Sequence, residues 1–420
     1  MKYDVAVIGG GPAGMMAAGR AGEKGAKVVL IEKNRKLGLK LLLTGKGRCN
    51  VAHQITNLRE FVNEFGVNGK FLFSSLSKFG IEDTISFFER KRVPLKLERG
   101  NRIFPKSDSS RDVVRALVGY LKKFKVNIKI GAKVKKIKYS SQRIEKVVLI
   151  DNQEISADNF IICTGGKSYP ATGSTGDGYQ WLKKLGHTIT ELRPALTPLL
   201  LKENFIKNLE GLSLKNVDIS LYRNNKKIDS RFGEAIFTSQ GISGPIILDL
   251  SKRVGLEIKK EGDLILRIDF KPALDFIKLD QRIQRDFKKT NNKFFKNSLD
   301  ALLPQKLIPV ILKLSGINLS KKVNLVTSAE RKKILHLLKE FDLHIKGLDD
   351  YRKAIITSGG VKLNEIDPLT MKSKIISNLS LAGEILDLDG PTGGYNLQVC
   401  WTTGWVAGDK WRVDPHTKQQ

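Results

Sequence analysis

Residues 3–14 read YDVAVIGGGPAG and residues 28–32 read VVLIE. The first run is an apolar strand, Tyr3 to Ile8, that breaks into Gly9, Gly11 and Gly14 in a G-x-G-x-x-G arrangement; the second is an apolar strand, Val28 to Ile31, ending on Glu32. Strand, glycines, helix, strand and acid in that order predict a βαβ dinucleotide-binding unit. Gly9 permits the tight turn, Gly11 lets a pyrophosphate approach the backbone, and Gly14 lets the helix pack close to the strand. The helix N-terminus then offers free N–H groups to the phosphates. Glu32 is placed to accept hydrogen bonds from both hydroxyls of a ribose, and its charge would repel the 2′-phosphate of NADP.

The 420 residues exceed one ordinary core, so two or three domains are expected. No stretch approaches the roughly 18 to 20 apolar residues of a membrane helix, and the first residues already belong to a strand. The expectation is a cytoplasmic protein with no membrane partner. Cys49, Cys163 and Cys400 lie far apart with no C-x-x-C pair, which argues against a dithiol relay and the disulfide-reductase branch of flavoenzymes. His53, His187, His336, His344 and His416 show no ligand spacing, so no metal is predicted. The formal net charge of +30 is spread along the chain. It would attract RNA, an anionic surface or acidic substrates over a Debye length of about 10 Å, but a lysine-rich composition with solvated side chains reads the same way.

The texture changes three times. Residues 58–125 are mostly helical in pattern. Val126–Ile130, Val134–Tyr139 and Arg143–Leu149 read as strands, and Asn159–Cys163 is a buried strand ending on Thr164, Gly165 and Gly166. In a doubly wound sheet, that second glycine turn faces the same ligand as the first. From about Leu192 to Lys271 a period of two, as in Val217, Ile219 and Leu221, predicts an antiparallel sheet or small barrel. From about Pro272 to Glu340 the spacing of Leu299, Leu302, Leu303, Leu307, Val310 and Ile311 is helical, and this insert carries roughly +10 of the net charge. After Tyr351 the glycine-rich texture returns: Ala354–Thr357 ends on Gly359 and Gly360, and Leu379–Ala382 ends on Gly383 and Glu384. The first domain is therefore expected to be discontinuous. Glu384 could bond a ribityl hydroxyl, and a helix starting near Asn396 after Gly393 and Gly394 would aim its dipole at a flavin carbonyl, worth about 0.3 to 2 kcal/mol to a reduced flavin.

The blocks VAVIGGGPAGMMAA, TGKGRCNVAH, TGGKSYPATGSTGDGY, SGGVKLNEIDPLTMKSK and LAGEILDLDGPTGGYNLQVCWTTGWVAG resemble the YhiN/BaiN-type family of FAD-dependent oxidoreductases, which includes aminoacetone-oxidase-like members. The resemblance implies an α/β fold: a discontinuous Rossmann-like FAD-binding domain (1–192 and 354–420), an inserted antiparallel β-barrel substrate domain (193–271 and 341–353), and a helical insert within it (272–340). It implies FAD as cofactor and a small-molecule substrate. Carried over position by position, Thr44, Gly45, Arg48, Cys49 and Asn50 would line the flavin or its pyrophosphate, joined by Pro12, Ala13, Lys33 and Lys40. Thr164, Gly165 and Gly166 would pass the adenine side, Val134 would touch adenine through its backbone, and Gly383, Glu384, Gly393, Gly394, Asn396 and Leu397 would hold the ribityl and isoalloxazine parts.

Each placement has a plainer counterpart: an ion pair for Arg48, burial as a small apolar residue for Cys49, and core packing for Val134. Arg48, Cys49, Asn50 and Ser239 are the catalytic candidates. Ser239, in FTSQGISGP, stands where the family often has histidine, which puts the proton-transfer role in doubt, and Ser243 reads as a cap for a helix over 244–252. No second G-x-G-x-x-G with a following acid exists, so electrons must come from a transiently stacked NAD(P)H, the substrate or a carrier protein. The resemblance licenses hydride transfer in the class of enone reduction or amine oxidation. A flavoprotein that modifies tRNA or binds RNA, with nucleic acid as partner, is the alternative. A third reading is a binding module that uses the dinucleotide as a structural element or sensor.

Overall fold

The computed structural model describes residues 2–410, which form two compact units: residues 2–194 with 351–410, and residues 195–350. In the first unit β1 (Lys2–Ile8) leads through the glycine turn into α1 (Pro12–Glu23) and on to β2 (Val28–Ile31). All four residues of β2 are buried, as a strand covered on both faces must be. The sheet continues with β3 (Asn127–Lys129), β4 (Val134–Ser140), β5 (Arg143–Leu149) and β6 (Glu154–Ile162), in the spatial order β3-β2-β1-β6-β5-β4. A seventh strand, Leu379–Leu381, also pairs with β6.

Two partners share one edge of β6. Its first half runs antiparallel to β5, with Ser156 opposite Lys146, and its second half runs parallel to the late strand, with Ile162 opposite Leu381. The sheet is therefore mixed. Its parallel core, β3-β2-β1-β6 with Leu379–Leu381, is Rossmann-like, and the register aligns four strand ends: Ile8 is opposite both Ile31 and Ile162, and Ile162 is opposite Leu381.

The C-terminal helix, Tyr395–Gly408, lies on α1 at close range. A Cβ on Gly404 would fall 2.5 Å from the Ala13 carbonyl oxygen. Trp401, fully buried, donates its indole N–H to the Val51 carbonyl at 2.9 Å and so ties this helix to the first part of the chain. Within 58–125, expected to be mostly helical, the structure also holds strands Leu95–Glu98 and Arg102–Pro105.

The block from Ser358 to Lys374 serves as a buried polar clasp. His187 Nδ1 donates to Glu365 Oε2 at 3.0 Å, and Ser373 Oγ, 3.0 Å from Nε2, donates to it while accepting from the N–H groups of Ile375 and Ile376. This arrangement needs a neutral imidazole, and burial lowers the His187 pKa although Glu365 opposes it. The folded pKa lies below the unfolded value of about 6.5, so the clasp contributes fully above that value. Its contribution is lost as pH falls below about 6.5 and through the folded pKa. Melting temperature measured from pH 7.5 down to 5 should fall more steeply for the wild type than for His187→Gln.

In the second unit, six strands close an antiparallel barrel: β7 (Leu199–Leu201), β8 (Ser213–Arg223), β9 (Lys226–Thr238), β10 (Gly241–Ser243), β11 (Leu264–Asp269) and β12 (Phe341–Leu348), in the order β7-β10-β9-β8-β11-β12. Between β10 and β11 lies α2 (Pro245–Glu257), and between β11 and β12 lie α3 (Phe276–Lys289), α4 (Ile308–Ser315) and α5 (Ser328–Lys339). The N-cap of α2 is Gly244 at φ +102° with no side-chain cap, so Ser243 is a strand residue and not the expected cap. The helical insert has no core of its own. Leu279, Ile283 and Phe287 of α3 join Leu264, Leu266 and Ile268 of the barrel in one apolar cluster.

Candidate functional site

Four strand ends at one level place four connections on one edge of the sheet: Gly9–Gly14, Glu32–Asn34, Cys163–Gly166 and Ala382–Glu384. Gly9 N donates to Ile31 O at 2.9 Å and Cys163 N to Ile8 O at 2.8 Å, which locks the first three together. Gly9 sits at φ +108°, and a Cβ there would lie 2.4 Å from Cys163 O; one on Gly14 would lie 1.8 Å from Gly9 O. Gly11 differs. A Cβ there meets nothing within 4 Å, so the glycine leaves open room directly over the N-terminus of α1. Pro12 begins that helix and Ala13 is buried beneath it.

Glu32 is buried and accepts from Gly10 N at 2.6 Å, Asn34 N at 2.8 Å and Asn34 Nδ2 at 2.8 Å. Its carboxylate is held rigidly at the edge of the open space. Lys33 turns aside to Thr175 and Asp177, the latter at 2.8 Å. Val134 is buried in β4 opposite Leu149, a core position.

A second cluster joins the two ends of the chain. Glu384 Oε2 accepts from Lys40 Nζ at 2.7 Å, and Oε1 accepts from Ser168 Oγ at 3.0 Å and Thr357 N at 2.9 Å. Lys40 also reaches Ser168 Oγ at 3.0 Å. Gly165 and Gly166 border the cluster: a Cβ on Gly166 would lie 2.3 Å from Thr357 Oγ1 and 2.8 Å from Glu384 Oε1. Thr164 Oγ1 is buried without a hydrogen-bond partner. Neither Ser168 nor Thr357 stands out in sequence, since a lone hydroxyl beside a glycine turn carries no pattern.

The segment Thr44–Asn50 is a tight loop. Gly45, Lys46 and Cys49 have φ of +57°, +59° and +62°, and Thr44 Oγ1 donates to Leu41 O at 2.7 Å. Arg48 is engaged by two carboxylates. Its guanidinium binds Glu98 and, at 2.8 Å, Asp108, and stacks 4.0 Å over the Phe104 ring, so the ion-pair alternative describes it. Cys49 is fully buried, and burial pushes its thiol up to about 12, against a hydrogen bond from Thr44 that lowers it. Burial and the raised pKa both disfavour a thiolate at this position. Iodoacetamide at pH 8 should leave Cys49 unmodified in the native protein and label it only after denaturation, as mass spectrometry of tryptic peptides would show. Asn50 Oδ1, in contrast, is buried without a partner, a group built to receive a donor.

The C-terminal helix starts at Tyr395, one residue before the expected position, behind Gly393 and Gly394 at φ +108° and +105°. Asn396 folds back: its side chain accepts from Gly390 N at 2.9 Å and donates to Gly390 O and Pro391 O. It shapes the loop before the helix, whose first-turn N–H groups, including that of half-buried Leu397, have no acceptor within the helix. His53 is the residue the sequence reading missed. Its Nδ1–H donates to Gly393 O at 3.2 Å and its ring stacks on Tyr395 at 4.5 Å, fixing the turn before the helix. The signal was its place at the end of the TGKGRCNVAH block. Burial lowers its pKa, which keeps it neutral. Ser239, in the other unit, lies in the exposed turn between β9 and β10.

The residues fit a dinucleotide with an extended second half. They provide open room at Gly11, a fixed carboxylate at Glu32, an unpartnered amide oxygen at Asn50 and a helix start at Tyr395 without a side-chain cap. Among the described residues, no group of three or more His, Cys, Asp or Glu could hold a metal ion, and no helix is long and apolar enough to cross a membrane.

The family model described as the HI0933-like protein Rossmann domain matches residues 3–410. The 3-dehydro-bile acid delta(4,6)-reductase of Clostridium scindens is 30% identical over 406 residues, 96% of this chain and 98% of that protein. The ribosomal RNA dihydrouridine synthase of Escherichia coli is 26% identical over 406 residues, 96% of this chain and 97% of that protein. Among solved structures, the open conformation of a flavocytochrome c3 fumarate reductase aligns with a TM-score of 0.52 at 16% identity, covering 97% of this chain and 78% of that one, a likeness of fold.

Proposed function

Because the chain belongs to the HI0933-like Rossmann family, we propose that it is an FAD-dependent reductase that adds two hydrogens across a carbon–carbon double bond conjugated to a carbonyl. The aligned strand ends carry this reading, since they bring residues from both extremities of the chain to one edge beside the room at Gly11. The two relatives point to the same bond chemistry. A 3-oxo steroid with a Δ4 double bond and the uracil ring of uridine both hold an alkene polarised by a neighbouring carbonyl, which makes the distal carbon electrophilic.

FAD, when bound, supplies the two-electron hydride chemistry. This chain's residues supply position and electrostatics. Gly9, Gly11 and Gly14 with the N-terminus of α1 take the pyrophosphate, and Glu32 takes the ribose of the adenosine half. Lys40, Ser168 and Thr357 hold Glu384 for the ribityl chain. His53 and Asn396 fix the loop from which the C-terminal helix aims its positive end at the ring. NADH or NADPH acts as the transient reductant.

Anaerobic absorbance spectra test the reading. The purified protein should be yellow, bleach with NADH or NADPH, and regain colour on addition of a conjugated enone but not an isolated alkene. A protein that stays colourless after incubation with FAD would refute it. Direct bleaching by an amine in the absence of nicotinamide would replace enone reduction with amine oxidation.

A second reading, uridine within RNA as the alkene, is favoured by the net charge of +30 and by the E. coli relative. The chemistry is unchanged, and only the body that carries the ring differs.

A further inference from the structure

Helix α3 separates its charges by face. Leu279, Ile283 and Phe287 form its buried stripe. Its acids are engaged along the margins of that stripe. Asp275 caps the helix by accepting from Lys278 N at 2.7 Å, Asp280 accepts from Arg331 Nε at 2.8 Å and Gln284 Nε2 at 2.7 Å, and Asp286 lies 3.5 Å from Arg282. The outward face carries no acid. It presents Lys278, Gln281, Arg285 and Lys288, all exposed, along a shallow concavity that Leu274 and Gln284 complete.

Lys278 has a loose contact with Asp275 at 3.7 Å, and Arg285 and Lys288 form no ion pair among the described residues. From Lys278 to Lys288 the row spans about 15 Å at the helical rise. The surplus is regional as well: residues 272–340 contain 15 Lys and Arg against 6 Asp and Glu.

We propose that this face of α3 docks the phosphate backbone of an RNA substrate. The inference rests on the second reading above and deepens it. Flexible cations spaced over three turns, with a glutamine amide between them, suit successive phosphates and ribose hydroxyls. The large apolar side chains on this face are Ile277 at 71% exposure and the half-buried Leu274, too little apolar surface to seat in a bilayer interface. An acidic protein partner would call for an apolar centre, which is absent.

The test uses the full-length holoprotein and a fluorescein-labelled oligouridylate of about 20 nucleotides, titrated by anisotropy at several salt concentrations. The triple variant Lys278→Glu, Arg285→Glu, Lys288→Glu is compared with a control of equal net charge, Lys106→Glu, Lys122→Glu, Lys183→Glu, whose sites are also exposed. The α3 variant should lose on the order of 100-fold in affinity at low salt, and the slope of log K against log salt should shrink by about 2 to 3. The control should change only a few-fold. Flavin content and reduction of a small enone should be the same in all three proteins, so a failure of the enone chemistry would show itself separately. Equal RNA affinity of the two variants overturns the proposal. So does absence of RNA binding by the wild type at low salt, or selective loss of binding to phosphatidylglycerol vesicles with RNA affinity intact.

Discussion

Replacing Gly11 with valine is expected to abolish flavin retention while leaving the apoprotein folded. Most glycines of the nucleotide turn are fixed by the protein itself: a side chain at Gly9 or Gly14 would strike backbone oxygen at 2.4 or 1.8 Å, so substitution there damages the fold. Gly11 is extended, at φ −80° and ψ −173°, and a Cβ on it meets nothing within 4 Å. Valine at this N-cap costs the apoprotein no more than about 1 kcal/mol. The same side chain fills the space through which a pyrophosphate must approach the free N–H groups of α1. Flavin absorbance of the purified variant should be near zero, and FAD added in excess should not raise its melting temperature, whereas it should raise that of the wild type. Full flavin occupancy in Gly11→Val would show that the dinucleotide lies elsewhere.

Glu384→Ala should damage both stability and binding. The substitution strands Lys40, whose side chain is 20% exposed, together with the Ser168 hydroxyl and the Thr357 N–H. Removing one member of a largely buried, hydrogen-bonded pair costs about 3 to 5 kcal/mol, because the remaining charge keeps its desolvation penalty. For a domain of this size the melting temperature of the apoprotein should drop on the order of 10 °C. Adding Lys40→Met should recover part of the loss, since no unpaired cation then remains. If Glu384→Ala melts with the wild type, the cluster is not the tie between the chain's two ends that its distances indicate.

The parts of this architecture that announce themselves in sequence share one cause: an apolar run that stops at a glycine. Val5–Ile8, Val28–Ile31, Phe160–Ile162 and Leu379–Leu381 each end that way or on an acid, and the sheet places them side by side. Side-chain partners are different, because an ion pair across a long sequence separation leaves no local trace. Arg48 looks like a phosphate ligand within GKGRCN, but Glu98 and Asp108 take its guanidinium from a hairpin hidden in a helical-looking stretch. Lys33 belongs to Asp177 and Asn396 to its own loop for the same reason. Helical spacing in the insert was readable, whereas the surface that its apolar stripe covers was not: Leu279 and Ile283 complete the barrel core.

The edge of β6 that is divided between β5 and Leu379–Leu381 has a consequence for biosynthesis. Glycine turns one and two can form once residue 166 has been made, but the Glu384 arm and the helix Tyr395–Gly408 are made more than two hundred residues later. A nascent polypeptide therefore carries an unfinished sheet until residue 381 has been made, with half of one strand edge unpaired. On the proposed reading, capture of the nucleotide waits until Glu384 and the helix Tyr395–Gly408 have been made, and a chain cut short before residue 379 should not retain it.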